Sequence, residues 1–571
     1  MSNNGTMCDV AIIGGGPGGS TLGSLLRKYR PEASVVILDK ERFPRDHVGE
    51  SQLPPIGDVL EEMGCWDKVE AANFPIKIGA TFRWGKSDDL WDFEFLPIDQ
   101  FRDEPRPAQY EGQRRQTAFQ VDRLVYDDIL LRHAESLGCT VREETLVTDV
   151  RTTGDRVEGL EIKGGEVLTA RHYVDASGHV GIMRRALGVP TEVPTQLQNI
   201  AIWDYWENAE WAVEIGVGAT RVQVMSLEHG WLWFIPLGPT RTSIGFICPS
   251  SHYKQMKSSP ETLYLDAIAR DPRIAALTER ATRRGEIETT TDWSFVAERC
   301  QGENWFLVGE SAGFADPVLA AGLTLTHTGA RELAYTIRAL DEGEHDAAWL
   351  KEHYERNQLD RVRQHIRFAD YWYAANGQFT DLQEHCQSIA RGAGLRLSPE
   401  AAWRWLAQGG FTNDSLGQVG IGGLDVSATK QLTAMFVDKD ARWKINDYNV
   451  FKLNLTGAEE RQVPQYADGE ITPVTCYFKA GHRLPMTGLF RLLTDILSGT
   501  SDIGVIHEQL SNHFQSTLPR EHVPVAMKHA VQTLEVMLGE GWLLAKLDKR
   551  KPRLNVASPA VGAMIHPNVD G

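Results

Sequence analysis

The sequence lacks the features that would place it in a membrane, a secretory pathway or a nucleic-acid complex. No apolar run approaches the roughly 18 residues of a membrane span, and the opening MSNNGTMCDV has neither the basic nor the apolar segment of a signal peptide. Positive charge is scarce: the formal net charge of -18 disfavours nonspecific attraction to nucleic acid or anionic lipid. We therefore expect a cytoplasmic protein with neither a membrane nor a nucleic acid as partner.

Cysteine is scarce and poorly placed for a structural role. The seven cysteines are odd in number, widely scattered and without a C-x-x-C pair. This pattern predicts neither a disulfide framework nor a zinc site, so no metal is expected. Apolar residues at 42% and charged residues at 24% are ordinary globular values, and at about 150 residues per domain the 571 residues suggest two to four domains.

The glycines near the start of the chain predict a dinucleotide site. An apolar strand over Val10–Ile13 runs into Gly14, Gly16 and Gly19, which form a G-x-G-x-x-G that opens a helix. The first glycine permits a tight turn, the second lets the backbone approach a pyrophosphate, and the third lets the helix pack closely on the strand. A second strand ends at Asp39, where a carboxylate is expected to accept the ribose hydroxyls.

A later segment favours FAD over NAD. Residues 303–330 predict a buried strand over Trp305–Val308, a turn at Asp316-Pro317 and a helix that opens near Gly322. This segment resembles the second FAD-contacting segment of the glutathione reductase-like flavoproteins. Gly309 and Glu310 stand where that family usually has Gly-Asp, which keeps the acceptor for the ribityl chain on a longer side chain.

Two further segments, QVDRLVYDDIL and HYVDASGHVG, occur in the same order along the chain as in these flavoproteins and also favour FAD. The resemblance implies that the cofactor is held by Gly14, Gly16, Gly19, Asp39, Lys40, Glu50, Ser51, Arg123, Asp175, Gly178, Asp292, Gly309, Glu310, Asp316 and Pro317. Asp292 is open to a second interpretation, as an exposed acid at a strand end with no role. Because GQVGIGG near Gly420 does not follow a strand, no nicotinamide site is predicted, and reduced FAD is expected from a separate flavin reductase.

Three stretches are similar to the flavin-dependent halogenases, over residues 1 to about 380. GWLWFIPL carries that family's W-x-W-x-I-P signature through Trp231 and Trp233. IKIGATFRWG places Lys77 just before a predicted strand that begins at Ala80, as the family's lysine is placed. RFPRDHVGES matches the family's segment ending in Gly-Glu-Ser at residues 49–51. The chain thus resembles a halogenase of the phenol or pyrrole type.

The resemblance implies that reduced FAD, oxygen and chloride or bromide give hypohalous acid, which travels through an internal tunnel to Lys77. That lysine hydrogen-bonds the acid or carries it as a chloramine, next to an electron-rich aromatic substrate of natural-product biosynthesis. An arbitrary lysine is more often a surface residue, but the KIGATF context reverses that expectation. The family pattern places the halide at the backbone amides of Ala321 and Gly322.

The two tryptophans allow two compatible interpretations. Trp231 and Trp233 wall the flavin off from the organic substrate, so that the ring is not hydroxylated directly, or they simply pack in the core. Halogenases acting on tryptophan carry a glutamate near the halide turn, where this chain has Leu319. Without that acid the substrate must stabilise its own cationic intermediate, so we favour a phenol-like aromatic.

The predicted fold is α/β: a glutathione reductase-type FAD-binding fold with an inserted, mainly antiparallel sheet, over residues 1–385. Residues 386–480 are interpreted as a helical and strand-like linker region. Residues 481–571 are an α+β region with three helices and a final hairpin that resemble a winged helix. A cap over the active site is favoured there over DNA binding, because the third helix offers only Lys528 as a fixed cation.

Several functions remain open from the sequence. The main alternative to halogenation is aromatic hydroxylation on the same fold, which would need neither Lys77 nor the tryptophan wall. A flavin-bearing transcription regulator is a third hypothesis, from another class. The substrate is a small aromatic molecule, either free or presented by an acyl carrier protein that docks on the C-terminal region.

Overall fold

The computed structural model describes residues 7–84, 88–96, 98–194, 198–216, 218–374, 443–480, 482–518, 520, 523–556 and 565–567. The chain divides into two compact units, formed mainly by Met1–Gly394 and by Leu395–Ala467 with Ile471–Ile565. The helix predicted around QEHCQSIARGAG and the GQVGIGG stretch lie outside the described residues.

The first unit alternates strands and helices along the chain. Its strands are β1 (Met7–Ile13), β2 (Val35–Leu38), β3 (Ile76–Arg83), β4 (Trp91–Glu94), β5 (Ala118–Phe119), β6 (Thr140–Arg142), β7 (Val147–Thr153), β8 (Arg156–Ile162), β9 (Val167–Asp175), β10 (Thr191–Glu192), β11 (Gln198–Glu207), β12 (Ala219–Leu227), β13 (Gly230–Pro236), β14 (Arg241–Pro249), β15 (Thr282–Arg283), β16 (Glu288–Trp293), β17 (Phe295–Ala297), β18 (Trp305–Leu307) and β19 (Gly313–Phe314). Its helices are α1 (Pro17–Tyr29), α2 (Pro55–Met63), α3 (Trp66–Ala71), α4 (Arg123–Ser136), α5 (Ile182–Ala186), α6 (Ser250–Met256), α7 (Pro260–Arg270), α8 (Pro272–Thr278), α9 (Gly322–Glu342) and α10 (Ala347–Ala374).

A parallel sheet carries the glycine-rich turn. The order is β6-β2-β1-β9, with β18 on β9, and β1 pairs in parallel with both β2 and β9. Two neighbouring parallel strands need a crossover connection between them. Helix α1 is the crossover from β1 to β2, and its leucines are buried. All four residues of β2 are buried, as expected for a central strand of such a sheet.

A second, mainly antiparallel sheet carries the tryptophan motif. Its order runs β15-β11-β14-β13-β12-β3-β4, with β16 on β11 and β5 on β3. Every residue of β13 is buried, and Pro236 closes the strand where the missing amide donor matters least. The predicted start of the lysine strand is wrong, because Lys77 lies inside β3. Ile76 and Lys77 pair with Phe119 and Ala118 of β5, and the buried residues Ile76 and Ile78 on either side of the lysine belong to the same strand.

The second unit is built around three helices. Its elements are β20 (Val450–Leu453), β21 (Glu459–Ala467), β22 (Glu470–Lys479), β23 (His482–Pro485), α11 (Gly488–Gly499), α12 (Ile503–Thr517), α13 (Val523–Gly539) and β24 (Leu543–Lys546), and β25 (Ile565–Pro567) follows. The three helices agree with those predicted from the sequence, at about 486–498, 502–514 and 523–539. The predicted terminal hairpin is wrong: β24 pairs antiparallel with β20, because Leu543 and the core residue Phe451 bring those strands together around Trp542.

No helix in the described part of the chain has the length and apolar character needed to cross a lipid bilayer. Six of the seven cysteines are described, all of them buried and free; Cys386 lies outside the described residues. Among the described residues, no group of three or more His, Cys, Asp or Glu side chains is arranged to hold a metal ion.

Candidate functional site

The glycine-rich turn is too crowded for any side chain. Gly14 has φ +108°, and a Cβ there would lie 2.3 Å from the Ala176 carbonyl oxygen. A Cβ at Gly19 would lie 1.9 Å from the Gly14 carbonyl oxygen, so α1 packs directly on the turn. Gly16 precedes α1 without a side-chain cap, which leaves the first amides of the helix open to an anion. The turn therefore has the shape that a pyrophosphate requires.

Asp39 joins the end of β2 to this turn. Its Oδ2 accepts the Gly15 amide at 2.7 Å and its Oδ1 accepts the Glu41 amide at 2.9 Å. The carboxylate is buried beside the glycines, where the sequence places it. Lys40, by contrast, is exposed and pairs with Glu41 at 3.3 Å, so the structure does not bring it into the site.

Two arginines stand near the start of α1. Arg123, the first residue of α4, forms a two-pronged ion pair with Asp127 at 2.6 and 2.8 Å and donates to the carbonyls of Val48 and Gly49. Arg45 pairs with the same aspartate at 3.3 Å, and its guanidinium lies 3.3 Å from the Cβ position of Gly16. Sequence reasoning missed Arg45, although it lies in the quoted RFPRDHVGES. Together the arginines give the turn a positive charge.

Glu50 and Ser51 extend this loop into the core. The Glu50 carboxylate accepts the Gly49 amide at 3.1 Å and the Tyr205 hydroxyl at 3.2 Å, and burial raises its pKa to about 7. Ser51 forms an isolated antiparallel bridge with Gln120. The Gly-Glu-Ser segment thus connects the nucleotide turn to the edge of the second sheet.

Asp175 organises the loop that holds Gly178. Its Oδ1 accepts the amide and the hydroxyl of Ser177 at 3.0 and 2.6 Å, and its Oδ2 accepts the amides of Met183 and Arg184 at 2.8 and 3.3 Å. Both oxygens are therefore used within the protein. The side chain shapes the loop around Gly178, whose φ is +69°.

Glu310 faces a small cleft that Gly309, Gly322, Thr326 and Gln358 help to line. The side chain is half-buried and makes no hydrogen bond or ion pair with another described residue, and burial raises its pKa. The Cβ positions of Gly178 and Gly322 each lie 4.0 Å from one of its carboxylate oxygens. Glu310 is thus an available acceptor beside two predicted site residues.

The predicted halide turn begins at Asp316. Its Oδ1 caps the 3-10 turn Pro317–Leu319 by accepting the Val318 amide at 2.8 Å. Ala320 follows with φ +54°, a left-handed conformation that a non-glycine residue rarely adopts. Ala321 then precedes α9 without a side-chain cap, so the first amides of this 21-residue helix have no intrahelical acceptor.

Asp292 is placed only by its backbone. It lies near the end of β16, opposite Asn199 of β11, and β17 begins three residues later at Phe295. Its side chain is outside the described part of the structure. Asp292 therefore stays a prediction as a cofactor residue.

Lys77 is buried, with 3% of its surface exposed. Its Nζ donates to the Gln52 carbonyl at 2.9 Å and lies 5.2 Å from the centre of the Phe95 ring. Among the described residues no carboxylate pairs with it, and burial lowers its pKa from 10.5 to about 7. A substantial fraction of the amine is therefore neutral and nucleophilic near pH 7.

Among the described residues, the segments next to Lys77 in the sheet carry buried polar groups without a hydrogen-bond partner. Lys77 pairs with Thr220 on one side and Ala118 on the other, and Gln120 shares the face of Ala118 by strand alternation. Within the described residues, the hydroxyls of Ser51 and Thr220 and the whole Gln120 carboxamide are buried without a hydrogen-bond partner. Such groups are costly to bury unsatisfied, so this location suits a small polar ligand.

Trp231 and Trp233 stand side by side on one face of β13. Their ring centres are 6.1 Å apart, and the indoles donate to the hydroxyls of Tyr373 at 2.7 Å and Ser243 at 3.1 Å. Both rings are buried. Trp84 extends the aromatic layer, 6.3 Å from Trp231. This layer is continuous and fixed by hydrogen bonds.

Gly245 makes room for the Trp233 ring. A Cβ at Gly245 would lie 2.0 Å from the ring, so Gly245→Ala is expected to displace it and lower the free energy of unfolding by about 1–3 kcal/mol. Urea unfolding measures this loss. Gly238→Ala is the matched control, because nothing lies within 4 Å of its Cβ position and the change is expected to be near neutral. Equal stabilities of the two variants would contradict the packing described here.

Residues 7–369 match the family model described as FAD binding domain. The chain is 30% identical over 355 residues to the tryptophan 2-halogenase of Chondromyces crocatus, covering 61% of this chain and 64% of that protein. It thus spans just under two thirds of that relative. A second relative is the 1H-pyrrole-2-carbonyl-[peptidyl-carrier protein] chlorinase of Pseudomonas fluorescens, 29% identical over 384 residues, 65% of this chain and 85% of that protein.

Flavin-dependent halogenase armH3 of Armillaria mellea is 30% identical over 370 residues, which cover 59% of this chain and 68% of that protein. Among solved structures, the crystal structure of CmlS, a flavin-dependent halogenase, superposes with a TM-score of 0.70 at 24% identity. That match covers 96% of this chain and 98% of the other. It shows a shared fold and confirms the predicted fold class.

Proposed function

Because this chain belongs to the flavin-dependent halogenases, we propose that it halogenates an electron-rich, phenol-like aromatic substrate in natural-product biosynthesis. The reaction uses reduced FAD, oxygen and chloride or bromide. The observation that carries the proposal is the Lys77 amine, which is buried, has no carboxylate partner in the described part of the chain and has a pKa of about 7. An aromatic hydroxylase would have no use for such an amine.

The residues around the glycine-rich turn fit FAD. The open first amides of α1, with Arg45 and Arg123, would hold the pyrophosphate, and Asp39 would accept the adenosine ribose hydroxyls. Glu310 would accept the ribityl hydroxyls, because its carboxylate faces a cleft without a protein partner. Bound FAD supplies the oxidising chemistry that converts halide to hypohalous acid.

The turn after Asp316 would hold the halide. Ala321 and Gly322 present open amides at the start of α9, where the helix dipole favours an anion. Chloride and bromide both suit such a site, since backbone amides bind them through charge and size alone. Glu310 lies near Gly322, and the raised pKa of that carboxyl lessens its repulsion of an anion.

Lys77 would receive the electrophilic halogen. A neutral amine can accept a hydrogen bond from hypohalous acid or take the halogen as a chloramine, whereas a charged ammonium can do neither. The unpartnered groups of Ser51, Gln120 and Thr220 support this role, because they offer hydrogen bonds to a small polar oxidant beside the amine. The tryptophan layer would keep the aromatic substrate away from FAD, so that halide is oxidised and the ring is not hydroxylated.

The substrate and partners follow from chemistry and from the relatives. Leu319 replaces the glutamate of tryptophan-acting halogenases, which favours a ring that stabilises its own cation. The pyrrole chlorinase named above acts on a carrier-protein substrate, which supports carrier presentation here as well. A separate flavin reductase would supply reduced FAD.

A product assay tests this proposal. The protein is incubated with FAD, a flavin reductase, NADH, air and chloride, with free phenols in one arm and carrier-bound phenol and pyrrole acyl groups in the other. We expect a product whose mass spectrum shows the chlorine isotope pattern. A gain of one oxygen would instead support the hydroxylase, and no product in either arm would contradict the proposed substrate class.

A further inference from the structure

One side chain outside the sequence motifs, Tyr373, joins the tryptophan strand to the halide turn. The Trp231 indole donates to the Tyr373 hydroxyl at 2.7 Å, and this hydroxyl donates to Asp316 Oδ1 at 3.2 Å. The same carboxylate oxygen accepts the Val318 amide at 2.8 Å. A chain of hydrogen bonds therefore runs from β13 to the turn that precedes the open amides of α9.

We propose that Tyr373 is a positioning residue for halide binding, which holds Asp316 so that Ala321 and Gly322 present their amides to the anion. This inference rests on the halide site of the proposed function. The turn needs such support because Ala320 has φ +54°, and a non-glycine residue keeps that conformation only when its surroundings impose it. Tyr373 thus couples the halide site to the tryptophan layer.

The Tyr373 ring is held independently of its hydroxyl. It is buried on the last turn of α10 and meets the Trp84 ring edge to face, with centres 5.7 Å apart. Trp84 is itself fixed, because its indole donates to the Trp372 carbonyl at 2.9 Å. Tyr373→Phe therefore removes the bridging oxygen and leaves the ring packed.

The charge of Asp316 gives the link a second effect. Burial, with a smaller contribution from the Asp370 carboxylate on α10, raises the pKa of Asp316 to about 7. Among the described residues, the groups that face Asp316 are the Val318 amide, the Tyr373 hydroxyl and Asp370. An ionised Asp316 would repel a halide at the next turn, whereas a neutral one would not. Because the Tyr373 hydroxyl stabilises the ionised form, its removal raises the pKa.

The same sheet offers a matched control. The Trp206 indole donates to the Tyr264 hydroxyl at 2.7 Å, and Tyr264 donates to the Ile244 carbonyl at 3.1 Å. This pair is as buried as the first one and belongs to the core cluster beside α7. Its hydrogen bonds end on a strand carbonyl rather than on the halide turn. Tyr264→Phe therefore removes an equivalent hydroxyl without touching the site.

The experiment measures halide affinity without turnover. The FAD-loaded, oxidised protein is titrated with sodium chloride and sodium bromide at constant ionic strength, and the flavin absorbance gives the dissociation constant. At pH 6 we expect Tyr373→Phe to bind halide about fivefold more weakly, the size of one net hydrogen bond. Its FAD affinity should not change, and Tyr264→Phe should match the wild type.

The pH profile separates positioning from a general loss of structure. Wild-type affinity for halide is expected to fall as pH rises through about 7, where Asp316 ionises, and the midpoint should lie higher in Tyr373→Phe. If Tyr373→Phe does not load FAD, Trp231→Phe removes the first donor of the chain and is expected to weaken halide binding in the same direction.

The outcomes distinguish this inference from the function on which it rests. A wild type without saturable halide binding would overturn the proposed halide site, and the inference with it. A wild type that binds halide while Tyr373→Phe keeps the same affinity and the same midpoint would overturn the positioning role alone. Equal losses in Tyr373→Phe and Tyr264→Phe would also overturn it, because they would mark a general effect of a lost buried hydroxyl.

Discussion

Replacing Lys77 with methionine is expected to lower the halogenation rate by about 10²-fold or more, while affinities for FAD and halide stay at the wild-type values. The amine donates to the Gln52 carbonyl, and among the described residues the neighbouring segments hold three buried polar side chains without a hydrogen-bond partner, those of Ser51, Gln120 and Thr220. Methionine has a similar length but has neither an N–H to donate nor an amine nitrogen that could form a chloramine. Product mass spectrometry under saturating substrate and chloride measures the loss.

Folding is not expected to limit this test. Replacing an uncompensated buried cation with an apolar side chain of similar volume is often neutral or stabilising. Lys351→Met is the matched control, because Lys351 also donates to main-chain carbonyls, those of Gly302 and Glu303 at 2.8 and 2.7 Å, in the segment that precedes β18 rather than next to β3. Full activity in Lys351→Met and in Lys77→Met alike would show that the amine at position 77 is dispensable.

The depressed pKa of Lys77 sets a pH dependence with a definite sign. The rate should rise with pH through about 7, because the neutral amine is the reactive form. Lys77→Arg keeps its charge at every such pH and should stay inactive. The same lysine makes the free energy of unfolding depend on pH. Between about pH 7 and pH 10.5 its amine is protonated in the unfolded chain but not in the folded one, so the folded state gains stability as the pH rises through this range.

Removing both tryptophans is expected to change the product as well as the rate. With Trp231→Ala and Trp233→Ala combined, the aromatic layer on β13 loses both indoles, and the substrate ring is expected to gain access to the cofactor. We expect an oxygenated product to appear in the mass spectrum, beside a chlorinated product reduced several-fold. A folded double variant that halogenates with wild-type efficiency and forms no oxygenated product would leave the tryptophans a packing role only.

Stability must be controlled in this experiment. Large-to-small changes of buried aromatic residues cost about 3–5 kcal/mol each, so the double variant is measured well below its unfolding temperature and beside the single variants. Trp206→Ala is the control for lost volume, because Trp206 is buried on the same sheet, in the cluster beside α7. An oxygenated product from that control would point to general loosening rather than to an open partition.

The nucleotide-binding part was predictable because its constraints are local. Gly19 is required by its close approach to the Gly14 carbonyl in the same turn, and Asp39 follows at a spacing fixed by one strand and one helix. The start of β3 was not predictable, because a lysine inside an apolar strand makes sense only when its partners on β5 and β12 are known.

The other features that the sequence did not predict depend on contacts between distant parts of the chain. The residues of β24 were predicted to form a hairpin, but β24 pairs with β20, about ninety residues earlier in the chain. Tyr373 carries no motif and comes to the site only through the packing of α10 against the second sheet. Arg45 was visible in a quoted stretch, yet nothing local indicated that it would share Asp127 with Arg123.

We propose that the oxidant is made at one place and used at another, with Lys77 at the second. A trapping experiment tests this separation: Lys77→Met is supplied with reductase, NADH, chloride and substrate, together with a freely diffusing 1,3-diketone that captures hypochlorous acid. We expect halide oxidation to continue near the wild-type rate and the chlorine to appear on the diketone instead of the substrate. Loss of diketone chlorination together with substrate chlorination would contradict it, because Lys77 would then belong to the step that makes the oxidant.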